Sequence, residues 1–465
     1  MNNVRPTLLA LALAAAFGAA APAAAQSNEE VLKELRALRD RVNELESKLK
    51  AAEAKPAAAP AASQWGMTPE QAAEFNRIAV KAESMQDSFT DQGFKGLVIS
   101  GMLDPTYIWT KTRGGSFAFL NGFSGNGGDL SYPDDLFGYD NSYFGQAMLD
   151  IQKETEDGTK WRLTLAPQKN ASSGYNVGSV VHEASVSIEL TDNQTRLWLG
   201  QIPDWSGYEY IWAHQQSLIT HNLLFDFTIP SFYTGAALDI TRGKWWTRVF
   251  VGNMNASRYD RDNQAPVLAY RVDYSKGEFD GFGFAGVHGK SFGSRIDTFE
   301  VDGYYTRGDW SLQGQIGVGR IRDGAANGDA EWAGLSALVS YSFSPRLKGT
   351  VRADYVKNDK NGGGIFGSVP ACGDDDCNTL VADGRNGFGP KMAFDSNTAT
   401  WGADASGKGL NRHAVSMGLA YLYGLNTTFK VEYRLDGANG PAFIGENGNY
   451  RKTNHLLGTS VVVTF

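Results

Sequence analysis

The stretch that decides the fold is His455-Leu-Leu-Gly-Thr-Ser-Val-Val-Val-Thr-Phe465. At every second residue Leu457, Thr459, Val461, Val463 and Phe465 make one face. Leu456, Gly458, Ser460, Val462 and Thr464, mostly small or polar, make the other. A period of two is that of a β-strand. At the edge of a soluble sheet, a strand ending on an aromatic invites aggregation. In a closed membrane barrel it pairs with the first strand and no edge remains. Many soluble strands also end a chain, so the remaining sequence has to supply the barrel.

From Lys95 onward the pattern has the required period. In residues 97–109 the odd positions are Leu97, Ile99, Gly101, Leu103, Pro105, Tyr107 and Trp109, whereas the even ones include Ser100, Asp104 and Thr106. The alternation recurs at Trp161/Leu163/Leu165, Ala184/Val186/Ile188/Leu190 and Trp310/Leu312/Gly314/Ile316/Val318. It returns at Leu347/Gly349/Val351/Ala353/Tyr355 and Phe429/Val431/Tyr433/Leu435. Interleaved with these are Arg162, Glu183, Glu189, Arg352, Asp354, Lys430, Glu432 and Arg434, which a dry core would not accept. Apolar and charged residues alternating in this way predict an all-β transmembrane barrel with a wet lumen.

Turn signals set the strand number. Tight turns are expected at Glu156-Asp157-Gly158, Asp192-Asn193, Arg242-Gly243, Lys276-Gly277, Arg307-Gly308-Asp309, Ser344-Pro345 and Gly424-Leu425-Asn426. Longer polar, Gly-rich segments separate them, such as 111–141, 253–265 and 357–411. The spacing gives about 16 antiparallel strands with both ends on the periplasmic side. The alternative, a soluble sandwich or propeller, needs the charged faces exposed on open sheets and does not predict short and long connections in turn.

The totals agree. A chain of 465 residues, 42% hydrophobic with 54 Gly and 12% aromatics, suits many short strands and tight turns. After the first residues no apolar run reaches the roughly 18–20 residues of a spanning helix. The net charge of −8 and the lack of a basic stripe argue against a nucleic-acid partner.

The N-terminal fifth reads differently. Residues 1–25 have the form of a signal peptide: Arg5, an apolar run from Leu8 to Ala20, then Ala23-Ala24-Ala25 before a cleavage point at Gln26. Over 26–53 a heptad seam, Val31, Leu35, Leu38, Val42, Leu45 and Leu49, predicts a coiled coil. Its g–e pairs, Glu34–Arg39, Arg41–Glu46 and Lys48–Glu53, are all of opposite sign and favour self-association. The a and d residues do not separate two strands from three; a homotrimer, with the coil in the periplasm, is the expectation. An Ala/Pro linker follows at 54–66. Thr68-Pro69-Glu70-Gln71 then opens a short helix within 67–92, and the barrel occupies 93–465.

Signal peptide, heptad coil, Ala/Pro tether and an alternating barrel ending in Phe together resemble the coiled-coil-bearing porins of Gram-negative bacteria. Leu199-Gly-Gln-Ile-Pro-Asp-Trp-Ser-Gly-Tyr-Glu209 and Phe232-Tyr-Thr-Gly-Ala-Ala-Leu238 are similar to stretches of the phosphate-selective-type members. The Met67-Thr-Pro-Glu helix followed by Gly96-Leu-Val-Ile-Ser-Gly more closely resembles an uncharacterised family of predicted outer-membrane porins. The final Phe465 also resembles the terminal aromatic of outer-membrane proteins, and is expected to close the barrel. The resemblance brings no established substrate. It does imply that a long loop folds inward to narrow the pore.

The segment with that character is 202–231, which carries Asp204, Trp205, Tyr208, Glu209, Tyr210, Trp212, His214, His221, Phe225, Asp226 and Phe227. So many aromatics are unusual on a water-exposed loop; packing at a subunit contact is the alternative. Asp204, Glu209 and Asp226 are candidates for the pore constriction, facing Arg162, Arg248, Arg271, Arg352 and Arg434. Lys348 and Lys430 are further basic candidates. The near balance with acids such as Asp150, Glu183, Asp273, Glu300, Asp302, Asp354 and Glu432 argues against an arginine ladder for phosphate. The spacing of His214 and His221 matches no common metal pattern, so packing is expected. In an exported chain Cys372 and Cys377 form a small local disulfide, and the intervening Asp residues make a solvated loop tip.

The leading expectation is therefore a passive outer-membrane channel for small hydrophilic solutes and ions, bounded by lipid, with no catalytic residue, metal or cofactor. Its rival is a surface adhesin or receptor barrel acting through the 357–411 loop. A barrel enzyme ranks third, since nothing picks out a Ser/His pair.

Overall fold

The computed structural model describes residues 77, 78, 80, 81, 94–111, 135–138, 146–166, 180–256, 264–275, 277, 279–291, 293–325, 328–360, 370–372, 380–382, 391–404, 406–445, 447 and 449–465. The chain divides into two compact units. In the first, 1–95 with 276–278, residues 77, 78, 80 and 81 are helical, within the expected 67–92 helix. The signal peptide, coiled coil and linker lie outside the described residues. So does Cys377, and with it the proposed disulfide.

The second unit, 96–275 with 279–465, is a closed antiparallel barrel of sixteen strands. β1 runs Leu97–Leu103 and Thr106–Thr110, and β2 runs Asp135–Gly138 and Ala147–Glu154. There follow β3 (Lys160–Leu165), β4 (Val181–Asp192), β5 (Thr195–Pro203), β6 (Phe232–Arg242), β7 (Trp245–Met254) and β8 (Pro266–Ser275). The second half is β9 (Asp280–Ser291), β10 (Ser294–Arg307), β11 (Trp310–Ala325), β12 (Gly328–Ser344), β13 (Leu347–Lys357), β14 (Arg412–Tyr423), β15 (Thr427–Ala438) and β16 (Thr453–Thr464). β1 breaks at Asp104-Pro105 because proline has no N–H for the ladder. Alternation nevertheless survives the break: Met102, Asp104 and Thr106 are all buried on one face. The ring closes where β16 pairs with both parts of β1, Met102 opposite Thr464 and Thr106 opposite Ser460.

The two faces separate by chemistry. Val251, Val351, Met417 and Phe429 are exposed on the outside, where lipid would cover them, whereas Arg352, Glu432, Arg434 and Asp436 are fully buried within. Six of the seven expected tight turns, all but the one at 276–277, fall at one end of the barrel, as between Asp192 and Thr195 and between Tyr423 and Thr427. The opposite end departs from the expected alternation. Ser291 pairs with Ser294, and Ala325 with Gly328, each with only two residues of sequence between the partners. β11 and β12, at 16 and 17 residues, are the tallest strands and close directly on each other instead of through a long loop.

Candidate functional site: the segment between the fifth and sixth strands

Residues 204–231 leave β5 and return to β6, and their side chains pack against inward-facing residues of the wall. Three features of the sequence fold the segment this way. Asp204 accepts hydrogen bonds from the Ser206 backbone N–H (2.8 Å) and hydroxyl (3.0 Å), turning the chain directly after Pro203. Ala213–Gln215 forms a single 3₁₀ turn. Asn222 then caps a short helix, α1 (Leu223–Thr228), its side chain accepting from the Phe225 N–H at 2.8 Å. All six residues of α1 are buried. The wall is shaped to receive them. A Cβ added at Gly334 would meet Leu224 Cδ2 at 2.6 Å, and one at Gly418 would meet Leu218 Cδ2 at 2.7 Å. These two glycines give the aliphatic side chains of the segment their close approach to the sheet.

Charge holds the segment from both sides. Arg352 Nη1 donates to Glu209 Oε1 (2.9 Å) and to the Thr220 carbonyl (2.6 Å), and its Nη2 donates to the His221 carbonyl (2.8 Å). Its Nε pairs with Asp354 at 3.1 Å. Arg434 Nη1 donates to the same His221 carbonyl (2.7 Å) and to Thr220 Oγ1 (3.0 Å), while its Nε pairs with Asp436 at 2.7 Å. Glu432 accepts from the Ile219 and Thr220 N–H groups (2.6 and 2.8 Å), and Lys430 Nζ donates to the carbonyls of Ala213 and Gln216 (2.6 and 2.7 Å). Buried ions need this degree of pairing, because removing a charge from water costs several kcal/mol.

The first limb of the segment has its own anchors. Arg271 Nη1 donates to the Trp205 carbonyl (2.8 Å) and forms ion pairs with Asp273 and Asp302, both at 2.8 Å. Trp205 stacks on Tyr233 with ring centroids 4.5 Å apart. The Arg248 guanidinium lies 4.7, 5.1 and 5.0 Å from the ring centroids of Trp198, Trp205 and Trp246. Gln146, just before the second part of β2, brackets the far side: its amide donates to the Ile211 carbonyl and accepts from the Ala213 N–H, both at 2.9 Å.

Among the candidates from sequence, Glu209 thus pairs with Arg352, and Arg352 and Arg434 meet through Thr220 and His221. Arg271 reaches the segment at Trp205. Arg162 pairs instead with wall residues, Asp150 at 2.8 Å and Glu183 at 3.4 Å. Asp226 is buried within α1. His214 and His221 diverge: His214 Nδ1 is 3.2 Å from Met102 Sδ, and the His221 ring stacks on Phe225 at 4.2 Å. Sequence reasoning missed Thr220, Gln146 and Asn222 altogether, and took Glu432 and Lys430 as mere wall charges. For Glu432 and Lys430 the signal was present, in large charged residues at inward positions of one strand. For Thr220 it was not.

Between the first limb and the wall from β3 to β11 lies a cavity of about 730 Å³. Arg162, Trp198, Trp246, Arg248, Asp273 and Gln313 line it from the wall, and Trp205, Tyr208 and Tyr210 from the segment. On the opposite side, at β13–β15, Arg352, Glu432 and Arg434 show no exposed surface.

One family matches the chain. Residues 129–465 match the family described as "Putative beta-barrel porin-2, OmpL-like". Among solved structures, the chain is similar to the anion-selective porin from Comamonas acidovorans, at 9% identity and TM-score 0.49, over 79% of this chain and 99% of that one. It is similar to the loop L8 deletion mutant of OmpT from Vibrio cholerae at 11% identity and TM-score 0.48, over 79% and 99%. The outer membrane channel DcaP of Acinetobacter baumannii follows at 11% and 0.45, over 79% and 97%. No curated protein matches. Sixteen strands that close on themselves, an apolar outside, a charged inside and a family match over nearly three-quarters of its length agree: the chain belongs to the OmpL-like beta-barrel porin-2 family, whose place is the Gram-negative outer membrane.

Proposed function

We propose that the protein is a passive channel for small hydrophilic solutes and ions, narrowed by residues 204–231. The observation that carries this reading is the fixing of that segment to inward-facing Arg352, Lys430, Glu432 and Arg434. Such a segment, tied down most heavily at β13 and β15 and leaving the cavity beside its first limb, constricts a lumen without plugging it. The permeation path then runs beside the first limb, past Arg162 and Asp273. Assembly as a trimer through the coil and the barrel wall belongs to the same proposal. Planar-bilayer recording of the purified chain tests it: stepwise ion currents are expected, and deleting part of 204–231 should enlarge them. A barrel that never conducts would overturn this reading and favour the surface-receptor alternative.

A further inference from the structure

We infer that the cavity beside the first limb is a binding track for neutral polyhydroxylated solutes, carbohydrates in chemical class; this rests on the channel reading and specifies its cargo. Size permits it, since 730 Å³ lies within the roughly 300–1,000 Å³ of small-molecule sites. Charge then separates the candidate solutes. Ion selectivity built from side chains rests on a ring of charge of one sign. Here three arginines of the cavity wall meet five carboxylates, Arg162 with Asp150 and Glu183, Arg248 with Asp239 at 2.5 Å, and Arg271 with Asp273 and Asp302; every arginine is paired, and Asp150, Glu183 and Asp302, only 3–4% exposed, are kept from a passing solute. Among these charged side chains the two most exposed are of opposite sign, Arg162 at 36% and Asp273 at 23%. An anion and a cation therefore each meet repulsion beside attraction. A hydroxyl meets none, because it both donates and accepts.

The aromatic component points the same way. Trp198 and Trp246 are half-buried and line the cavity, and Arg248 between them fixes both rings. Ring faces are electron-rich and attract the polarised C–H groups of a sugar face. Rings already held in place cost little entropy on binding. Trp205 contributes less, since it is engaged by both Tyr233 and Arg248. Gln313 adds an amide to the same wall. Ion pairs that offer donors and acceptors beside flat rings suit a neutral polyol better than an inorganic ion.

The test is block of KCl current through the full-length protein in planar bilayers. Maltotriose should reduce the current saturably, whereas poly(ethylene glycol) of matched size should reduce it without saturation. Trp198→Ala with Trp246→Ala should raise the half-blocking concentration about tenfold, two ring contacts of about 0.5–1.5 kcal/mol being lost. Trp198→Phe should restore most of the effect, and heat-modifiable mobility confirms that each variant is folded. Absence of saturable block in an open channel overturns the inference and leaves the channel reading intact, as does block by benzoate where maltotriose has none. Should the wild type carry no current, maltotriose quenching of tryptophan fluorescence decides separately. Quenching abolished by the double variant keeps the track and removes the channel; no quenching removes both.

Discussion

Gly101 and Phe465 exchange both backbone hydrogen bonds, each N–H donating to the other's carbonyl at 3.1 Å. The Phe465 ring also occupies the space where a Cβ at position 101 would stand. A glycine on β1 thus makes room for the aromatic that follows β16, and the seam of the barrel is sealed where its ladder is shortest. Two consequences follow from this pairing. Gly101→Val should force the ring aside, and deletion of Phe465 should remove both bonds, each contributing about 0.5–1.5 kcal/mol. Either change should lower the fraction of heat-modifiable barrel while export across the inner membrane continues. Wild-type barrel levels in both variants would show that closure does not depend on this pair.

Arg352 should be the most costly single residue of the inner wall. Its side chain is fully buried and bonded to Glu209, Asp354, the Thr220 carbonyl and the His221 carbonyl. Breaking a buried pair by removing one partner costs about 3–5 kcal/mol, because the other charge is left uncompensated. Arg352→Ala should therefore lower the denaturation midpoint and raise the conductance as residues 209–221 lose their tie. Replacing both partners, Arg352→Met with Glu209→Gln, should cost less than Arg352→Ala alone. If the double variant is the less stable of the two, the pair is not acting as a unit.

The outer rim offers a pH-dependent contact. Asp404 accepts from the Ser406 backbone N–H at 2.8 Å and pairs with Lys391 at 3.0 Å. The Ser406 hydroxyl and N–H, and then the Lys391 ammonium, hold its carboxyl down at about 2, against an ordinary value of 3.8. A depressed carboxylate contributes stability above its unfolded pKa and loses it as pH falls through the folded one. Amide protection of the hairpin Met392–Asp395 with Thr400–Ala403 should thus hold at pH 5 and decline between about pH 4 and 2. Asp404→Asn should remove the decline. An unchanged profile in that variant would place the titrating group elsewhere.

Most of the barrel was legible because strands obey a period of two, and the medium on each face forces the choice of residue. Val351 beside Arg352, and Val431 beside Glu432, leave no doubt which side of the sheet each occupies. Two of the connections misled. Only two residues of sequence separate Ser291 from Ser294 and Ala325 from Gly328, yet the regular alternation of tight turns seemed to require a loop there. The 204–231 segment was partly legible: its aromatics and acids marked it as buried, and Glu209 and Arg352 were both named as candidates. The contacts that fix it were not legible. Arg352 and Arg434 grip backbone carbonyls of Thr220 and His221, and any residue carries a carbonyl. Nor does a pattern of side chains reveal that Gly334 leaves space for Leu224.

Thr220 provides the sharpest test of how the segment is held. Its hydroxyl donates to Glu432 Oε1 at 2.5 Å and accepts from Arg352 Nη2 at 3.1 Å and Arg434 Nη1 at 3.0 Å. One oxygen thus links a cation of β13 to a cation and a carboxylate of β15, across the intervening β14. Removing it should uncouple groups that otherwise act together. Thr220→Val keeps the shape and loses the hydroxyl, leaving partners of charged groups unsatisfied at about 1.5–3 kcal/mol. A cycle with Glu432→Gln should be non-additive by about 0.5–3 kcal/mol, as expected of residues in one hydrogen-bonded network. Both single variants should also increase current noise in open channels, since 213–221 is then held by fewer bonds. Lys430→Met, which frees the carbonyls of Ala213 and Gln216, acts one turn earlier and has no contact with the hydroxyl. Its effect should add to that of Thr220→Val within about 0.5 kcal/mol. Strict additivity between Thr220→Val and Glu432→Gln would mean that the hydroxyl is a bystander and that the backbone contacts alone hold the segment.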